Sequence, residues 1–201
     1  MSGPFKGVRV LELTSTVSGP FAGMMLADQG AEVIKIEPPG IGDLARFMGT
    51  IKDGMGAMFS TLNRNKKCIC LDFKNEEDLS VLMQLVSTAD VLIENYRPGI
   101  VKKLGIDYET LKKIKPDLIY CSISGYGQSG PYKEKKVYDP LIQGTVGIPH
   151  AQNTEHPELL RTIIYDKVTG LTCAQAISAA LYQKANGCLL YTSPSPRDTL
   201  L

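Results

Sequence analysis

The fold is decided by residues 7–37, GVRVLELTSTVSGPFAGMMLADQGAEVIKIE. Within it, GVRVLEL (7–13) and AEVIKIE (31–37) are short apolar runs typical of buried strands. Between them, FAGMMLADQG (21–30) is an apolar helical segment that ends at a glycine, the usual residue after a helix. Strand, helix and strand with short links form a βαβ unit, so the sequence predicts a parallel sheet with a right-handed crossover.

The same alternation continues along the chain. Further strands are predicted at CICLDF (68–73), DVLIEN (90–95) and LIYCSISGYG (118–127). Further helices are predicted at EEDLSVLMQLVSTA (76–89), at YETLKKIKP (108–116), and from Asp166 to about Lys184. The predicted fold class is therefore α/β, a Rossmann-like open parallel sheet with flanking helices.

The composition excludes several classes of function. Lys and Arg number 22 against 21 Asp and Glu, a net charge of +1, so we expect no nucleic acid or anionic membrane as a partner. The five cysteines have neither zinc-site spacing nor the density of a disulfide scaffold, which predicts a reducing, cytoplasmic location and no metal. Residues 1–20 resemble neither a signal nor a transit peptide, and no apolar stretch approaches the roughly 20 residues of a membrane span.

The strand ends carry the candidate binding residues. The loop after the first strand, TSTVSGPFAG (14–23), lacks the G-x-G-x-x-G fingerprint, which disfavours NAD although Glu37 stands where a ribose-binding acid would. Basic clusters recur in the loops: Arg64, Lys66, Lys67, Lys74, Arg97, Lys102, Lys103, Lys135 and Lys136. Each cluster alone is typical of a solvated surface, but their recurrence favours an elongated, phosphorylated ligand.

Asp166, in RTIIYDKVTG (161–170), follows an apolar run and precedes a predicted helix. Two interpretations stay open from the residues alone. Asp166 is either the N-cap of that helix or a nucleophilic carboxylate, whose pKa the helix terminus would lower so that it stays ionised.

The last residues differ in texture from the rest. The segment CLLYTSPSPRD (188–198) resembles the in-frame translation of a sequencing-library adapter. We therefore predict that 188–201 is a non-native tail and that 1–187 is the native domain.

Five phrases, in order, resemble the amino half of the family III CoA-transferases, the CaiB/BaiF group. They are GVRVLELTSTVSGPFAGMMLADQGAEVIKIEPPGIGDLAR (7–46), NRNKK (63–67), ADVLIENYRPG (89–99), PDLIYCSISGYGQSGPY (116–132) and YDKVTGLTCAQAISAAL (165–181). The resemblance covers residues 5–187 and implies an N-terminal fragment of a protein about twice as long, which transfers CoA from an acyl-CoA to a free carboxylic acid.

The resemblance also assigns residues. The family's D-x-x-[TS]-G pattern falls on Asp166, which would be the catalytic nucleophile and would form an aspartyl-CoA thioester. The implied CoA-binding residues are Thr16, Val17, Leu71, Asp72, Phe73, Lys74, Asn95, Tyr96, Arg97, Lys103, Lys136, Val137, Tyr138 and Asp139. Tyr138 and Asp139 are also candidates for orienting groups. Pro38 stands where some transferases have an arginine against adenine, so the adenine contact is left open.

Coenzyme A or acyl-CoA is thus a substrate, with no permanently bound cofactor expected. The resemblance further implies an interlocked homodimer for the full-length protein and an inactive fragment. One alternative is an α-methylacyl-CoA racemase, but Tyr138 stands in the segment of the racemase histidine, and His150 and His156 match no catalytic position. The other alternative is a non-catalytic nucleotide-binding domain. The sequence does not name the donor and acceptor acids.

Overall fold

The computed structural model describes residues 2–187 of the 201-residue chain. In this range the strands are Arg9–Leu13 (β1), Glu32–Glu37 (β2), Ile51–Lys52 (β3), Met55–Gly56 (β4), Lys67–Cys70 (β5), Val91–Glu94 (β6) and Ile119–Ser122 (β7). The α-helices are Ser18–Asp28 (α1), Ala57–Leu62 (α2), Glu76–Ser87 (α3), Ile100–Lys103 (α4), Tyr108–Leu111 (α5), Asp139–Thr145 (α6), Ile148–Gln152 (α7) and Ile164–Ala185 (α8). A 3-10 helix spans Leu44–Phe47. The predicted tail, 188–201, lies outside the described residues, and the division at residue 187 stays a prediction.

The main sheet has five strands in the order β5-β2-β1-β6-β7, and every neighbouring pair is parallel. The chain adds β2 and β5 on one side of β1, then returns and adds β6 and β7 on the other side. This confirms the predicted α/β fold. The reversal lies between β1 and β6, and ligands of open parallel sheets bind at such a point, outside the carboxyl ends of the strands.

The central strands are buried on both faces because helices cover each side. Val10 and Val33 belong to one apolar cluster, with Ile177 of α8. Their chain neighbours Leu11 and Ile34 belong to the other, which includes side chains of α3. Successive side chains of a strand point to opposite faces, so continuous apolar runs are what a two-sided core requires.

Two charged side chains interrupt these apolar runs and face each other. Glu12 of β1 is paired in register with Lys35 of β2, and both are fully buried. Lys35 Nζ lies 3.0 Å from Glu12 Oε1 and 2.8 Å from Asp43 Oδ2, and Lys66 Nζ lies 2.7 Å from Glu12 Oε2. Two carboxylates and two ammonium groups thus neutralise one another inside the protein.

Two predicted helix boundaries differ from the structure. The helix predicted at 108–116 is the single turn Tyr108–Leu111, and α8 begins at Ile164, not at Asp166. In the part of the chain that the structure describes, no helix has both the length and the hydropathy to cross a membrane.

Candidate active site

Asp166 lies in the first turn of α8, as its third residue. The residue at the N-cap position is Ile163, whose side chain makes no capping hydrogen bond. The interpretation of Asp166 as the N-cap is therefore wrong. The carboxylate is half-buried and is not committed to the amide groups of its own helix.

The cap of α8 comes from another element. Asp139, the first residue of α6, is 5% exposed. Its Oδ2 accepts hydrogen bonds from the backbone N–H of Tyr165 at 2.5 Å and of Asp166 at 3.0 Å. A carboxylate 27 positions earlier in the chain thus does what an N-cap side chain usually does.

This arrangement raises the pKa of Asp166 to about 6, first because the carboxyl is buried and second because the Asp139 carboxylate lies nearby. The expectation that the helix terminus lowers the pKa is wrong, because burial and like charge outweigh it. Above pH 6 Asp166 is ionised. A carboxylate of raised pKa is also a better nucleophile than an ordinary one.

Gly170 brings α8 against α1. A Cβ at this position would lie 2.8 Å from the carbonyl oxygen of Ser18 and 2.8 Å from Phe21 Cδ1, so only glycine allows this approach. The glycine of the D-x-x-[TS]-G pattern therefore has a packing role. It holds the head of α8 beside the loop that follows β1.

Gly170→Ala is expected to separate α8 from α1 and to lower the free energy of unfolding by about 1–3 kcal/mol, measured by urea denaturation of the full-length protein. Gly144→Ala is the matched control, because Gly144 is also helical and nothing lies within 4 Å of its added Cβ. We expect that variant to be unchanged or up to about 1 kcal/mol more stable. Equal effects of the two substitutions would contradict the packing role.

The loops after β1 and β6 meet at the point where the strand order reverses. The side-chain amide of Asn95 makes two hydrogen bonds with the backbone of Ser15: its Oδ1 accepts from the Ser15 N–H at 3.1 Å, and its Nδ2 donates to the Ser15 carbonyl oxygen at 2.9 Å. Thr16 has a φ of 72°, and its N–H donates to Asp43 Oδ1 at 2.9 Å. Asp43 thereby connects this loop to the buried Lys35. The predicted residues Thr16 and Asn95 therefore lie together.

A small cavity of about 130 Å³, the strand-end cavity, opens beyond the carboxyl ends of β2, β5 and β6. It is lined by Ile36, Pro38, Leu71, Asp72, Phe73, Lys74, Tyr96 and Leu104. The structure thus brings together five of the predicted CoA-binding residues, together with Pro38. The apolar side chains that line it offer flat or aliphatic surface to a ring.

A larger cavity of about 490 Å³, the helix-head cavity, lies between α1, α2 and the start of α8. It is lined by Val17, Phe21, Gly49, Ala57, Met58, Thr61, Leu62, Thr162, Ile163 and Lys167. Ile163 and Lys167 flank Asp166 along the chain. The predicted residue Val17 belongs here, at the start of α1, and not to the strand-end cavity.

Six of the basic side chains noted in the sequence fall into two groups. Arg64 pairs with Asp28, Lys66 is buried against Glu12, and Lys67 pairs with Glu32, so NRNKK is occupied by the protein's own carboxylates. These ion pairs make the cluster less available to a phosphorylated ligand, and its role in binding one stays a prediction. In contrast, Arg97, Lys103 and Lys136 are exposed, and none of them pairs with a carboxylate among residues 2–187.

The segment 136–138 leads into α6. Val137 packs on Gly125, whose added Cβ would lie only 1.9 Å from Val137 Cγ1, while the side chain of Tyr138 is exposed.

Among the described residues no group of three or more His, Cys, Asp or Glu side chains has the arrangement of a metal site.

Sequence reasoning missed Asp43 and Gln143. Gln143 is 1% exposed and bonds both Asp139 and the segment before α8. For Gln143 the sequence carries no signal of these contacts, because the start of α8 at Ile164 and its contact with α6 are not local features of the sequence. For Asp43 the signal was Lys35, a lysine inside an apolar strand, which needs a buried carboxylate.

These features define an α/β domain built on an open parallel sheet, with a half-buried carboxylate of raised pKa in the first turn of α8. The chain belongs to CoA-transferase family III, whose family model matches residues 5–188. It is 40% identical over 184 residues to the succinyl-CoA:glutarate CoA-transferase of Homo sapiens, covering 90% of this chain and 42% of that protein. It is 42% identical over 185 residues to the acetyl-CoA:oxalate CoA-transferase of Acetobacter aceti, covering 90% of this chain and 48% of that protein.

Solved structures agree with this assignment. A CaiB/BaiF family protein from Brucella suis superposes with a TM-score of 0.87 at 41% identity, over 93% of this chain and 51% of that one. Rv3272 from Mycobacterium tuberculosis superposes with a TM-score of 0.86 at 34% identity, over 94% of this chain and 54% of that one. The resemblance stated from the sequence is confirmed. The chain spans about half the length of these relatives.

Proposed function

We propose that this chain carries the nucleophile and the CoA-binding surface of a CoA-transferase, which moves CoA from an acyl-CoA to a free carboxylic acid. The observation that carries the proposal is Asp166, a half-buried carboxylate with a pKa of about 6, in a chain of family III. Its helix head is fixed by Asp139, and Ile163 and Lys167, on either side of Asp166 in the chain, line the helix-head cavity. The named relatives act with acyl-CoA and acids such as glutarate and oxalate.

CoA would lie across the carboxyl edge of the sheet. The adenine ring fits the strand-end cavity, where Pro38, Phe73 and Tyr96 offer apolar surface. The exposed cations Arg97, Lys103 and Lys136 suit the phosphates, because none of them is engaged by a carboxylate of residues 2–187. The backbone near Thr16 then leads toward Val17 and the helix-head cavity.

The chemistry runs through Asp166 in four balanced steps. The Asp166 carboxylate attacks the acyl-CoA carbonyl, which forms a mixed anhydride and releases CoA thiolate. The thiolate attacks the aspartyl carbonyl, which forms the aspartyl-CoA thioester and releases the donor acid. The acceptor carboxylate attacks that thioester, which gives a new anhydride and thiolate. The thiolate then takes the acceptor's acyl group and restores Asp166.

The test is to trap the thioester in the full-length protein. With acyl-CoA and hydroxylamine, we expect mass spectrometry to find a hydroxamate on the peptide that contains Asp166, with release of CoA. The hydroxamate requires acyl-CoA and is absent from Asp166→Asn. Turnover without modification of Asp166 would rule out the mechanism.

The two alternative functions predict different results. A racemase exchanges the α-proton of a 2-methylacyl-CoA in deuterated water without an acceptor acid. A non-catalytic nucleotide-binding domain binds CoA equally well with Asp166 or Asn at this position and forms no hydroxamate.

Two further statements belong to this proposal. The full-length protein would form an interlocked homodimer, and the 201-residue chain alone would have little or no activity. Exposed apolar side chains such as Phe47 and Leu171, 60% and 47% exposed, suit an assembly that covers them. The cytoplasmic location stays a prediction.

A further inference from the structure

Asp139 and Gln143 occupy successive turns of α6 and face the segment that leads into α8. Gln143 Nε2 donates to Asp139 Oδ1 at 2.6 Å and to the carbonyl oxygen of Thr162 at 3.1 Å. Gln143 Oε1 accepts from the N–H of Leu160 at 2.8 Å. Asp139 uses its other oxygen for the first turn of α8. Both side chains are at least 95% buried, so the segment 160–163 and the helix head are held as one unit.

We propose that Asp139 and Gln143 form a positioning clamp, which fixes the direction of the Asp166 carboxylate for its attack on the acyl carbonyl. The inference rests on the proposed function, and of the two roles that the resemblance implied for Asp139, a CoA contact and an orienting group, it selects the second. Both Asp139 oxygens are already hydrogen-bonded within the protein. The clamp acts through the backbone of residues 160–166, so neither side chain is a catalytic residue.

The clamp also supplies the charge that faces Asp166. The other titratable groups on elements packed against α8, or near it in the chain, are engaged elsewhere. Asp28 of α1 pairs with Arg64, and Cys121 of β7 contacts Cys173. Lys167 donates to Thr162 Oγ1 at 3.0 Å, and Arg161 is exposed beside Glu158. At the other end of α8, Lys184 pairs with Asp90 and Asp117. Removing the Asp139 charge therefore leaves burial as the remaining cause of the raised Asp166 pKa.

The experiment compares Asp139→Asn and Asp139→Ala in the full-length protein, and measures single-turnover formation of the Asp166 adduct against pH together with steady-state kcat and KM. Asp139→Asn keeps one oxygen for the amides but loses the charge. We expect the acidic limb of its profile to move down by roughly half a pH unit, because burial is the larger cause. Asp139→Ala loses the cap as well, and we expect kcat to fall about 10- to 100-fold with KM for acyl-CoA nearly unchanged. Gln143→Ala should lower kcat in the same way.

Asp107→Ala is the matched control. Asp107 caps α5 by accepting from the N–H of Thr110, and it lies outside the proposed site. Its loss should lower Tm without changing kcat or the pH profile. The inference is overturned if Asp139→Ala behaves like this control, or if it raises KM for acyl-CoA with kcat unchanged, as a CoA contact would. Failure of the wild type to form any adduct would instead overturn the proposed function.

Discussion

Asp166→Asn is expected to lower CoA transfer by about 10⁴-fold, because an amide cannot form the anhydride or the thioester on which the route depends. Binding of CoA should persist, since the strand-end cavity and the exposed cations lie on other elements. Steady-state assays measure the first effect, and titration calorimetry with CoA measures the second. Activity within tenfold of the wild type would exclude Asp166 as the nucleophile.

The same substitution should stabilise the protein, and the sign depends on pH. The folded pKa of Asp166, about 6, is above the ordinary value of 3.8, so ionisation of this group costs folding free energy above pH 6. Below about pH 4 the carboxyl is protonated in both states, and the cost disappears. Allowing for partial exposure, we expect Asp166→Asn to be about 1 kcal/mol more stable at pH 7.5, a rise in Tm of roughly 2–4 °C. The rise should shrink as the pH falls toward 4.

Asp117→Asn is a control of opposite sign. Lys115 and Lys184 lower the pKa of Asp117 to about 2, so its ionised form contributes stability above pH 4 that is lost as the pH falls through 2. We expect this variant to be slightly less stable than the wild type at pH 7.5. If both asparagine variants lose stability at pH 7.5, burial of the Asp166 charge does not destabilise the native protein.

The sheet was predictable because its signal is local. Apolar runs such as 7–13 and 31–37, with a glycine-closed helix between them, specify a parallel pair without knowledge of the rest of the chain. The start of α8 was not predictable, because the first helical residues, Ile164 and Tyr165, belong to the apolar run before Asp166. Local pattern does not distinguish an apolar strand end from an apolar first turn.

The site was predictable in its residues and not in its electrostatics. The family resemblance pointed to Asp166 and to five residues that line the strand-end cavity, including Phe73 and Tyr96, and their roles in catalysis and CoA binding stay predictions. The direction of the Asp166 pKa depends on burial and on Asp139, which is distant in sequence, so helix position alone predicted the wrong sign. The partner of Lys66 was not predictable for the same reason: in the sequence Lys66 belongs to a basic cluster, whereas in the fold its ammonium group neutralises Glu12.

Lys35→Met is expected to lower the free energy of unfolding by about 3–5 kcal/mol, because it leaves Asp43 as a buried, unpaired carboxylate between the loop after β1 and the sheet. Burial opposes the charged form of Lys35, but Glu12 and Asp43 outweigh it and raise the Lys35 pKa, so the ammonium is charged in the native protein. Urea denaturation of the full-length protein, followed by circular dichroism, measures the loss.

The matched control is Lys67→Met, since Lys67 makes a 2.7 Å ion pair with Glu32 but its side chain is 71% exposed. That pair should contribute about 0–1 kcal/mol. The double variant Lys35→Met/Asp43→Asn removes a positive and a negative charge together, so it should be more stable than the sum of the two single changes predicts. Because Asp43 also accepts from the N–H of Thr16, loss of its lysine partner in Lys35→Met should raise KM for acyl-CoA, whereas Lys67→Met should not. If the effects of Lys35→Met and Asp43→Asn on stability are additive, the two buried charges are not coupled to one another. If Lys35→Met and Lys67→Met cause equal losses, the buried lysine is not responsible for holding the loop.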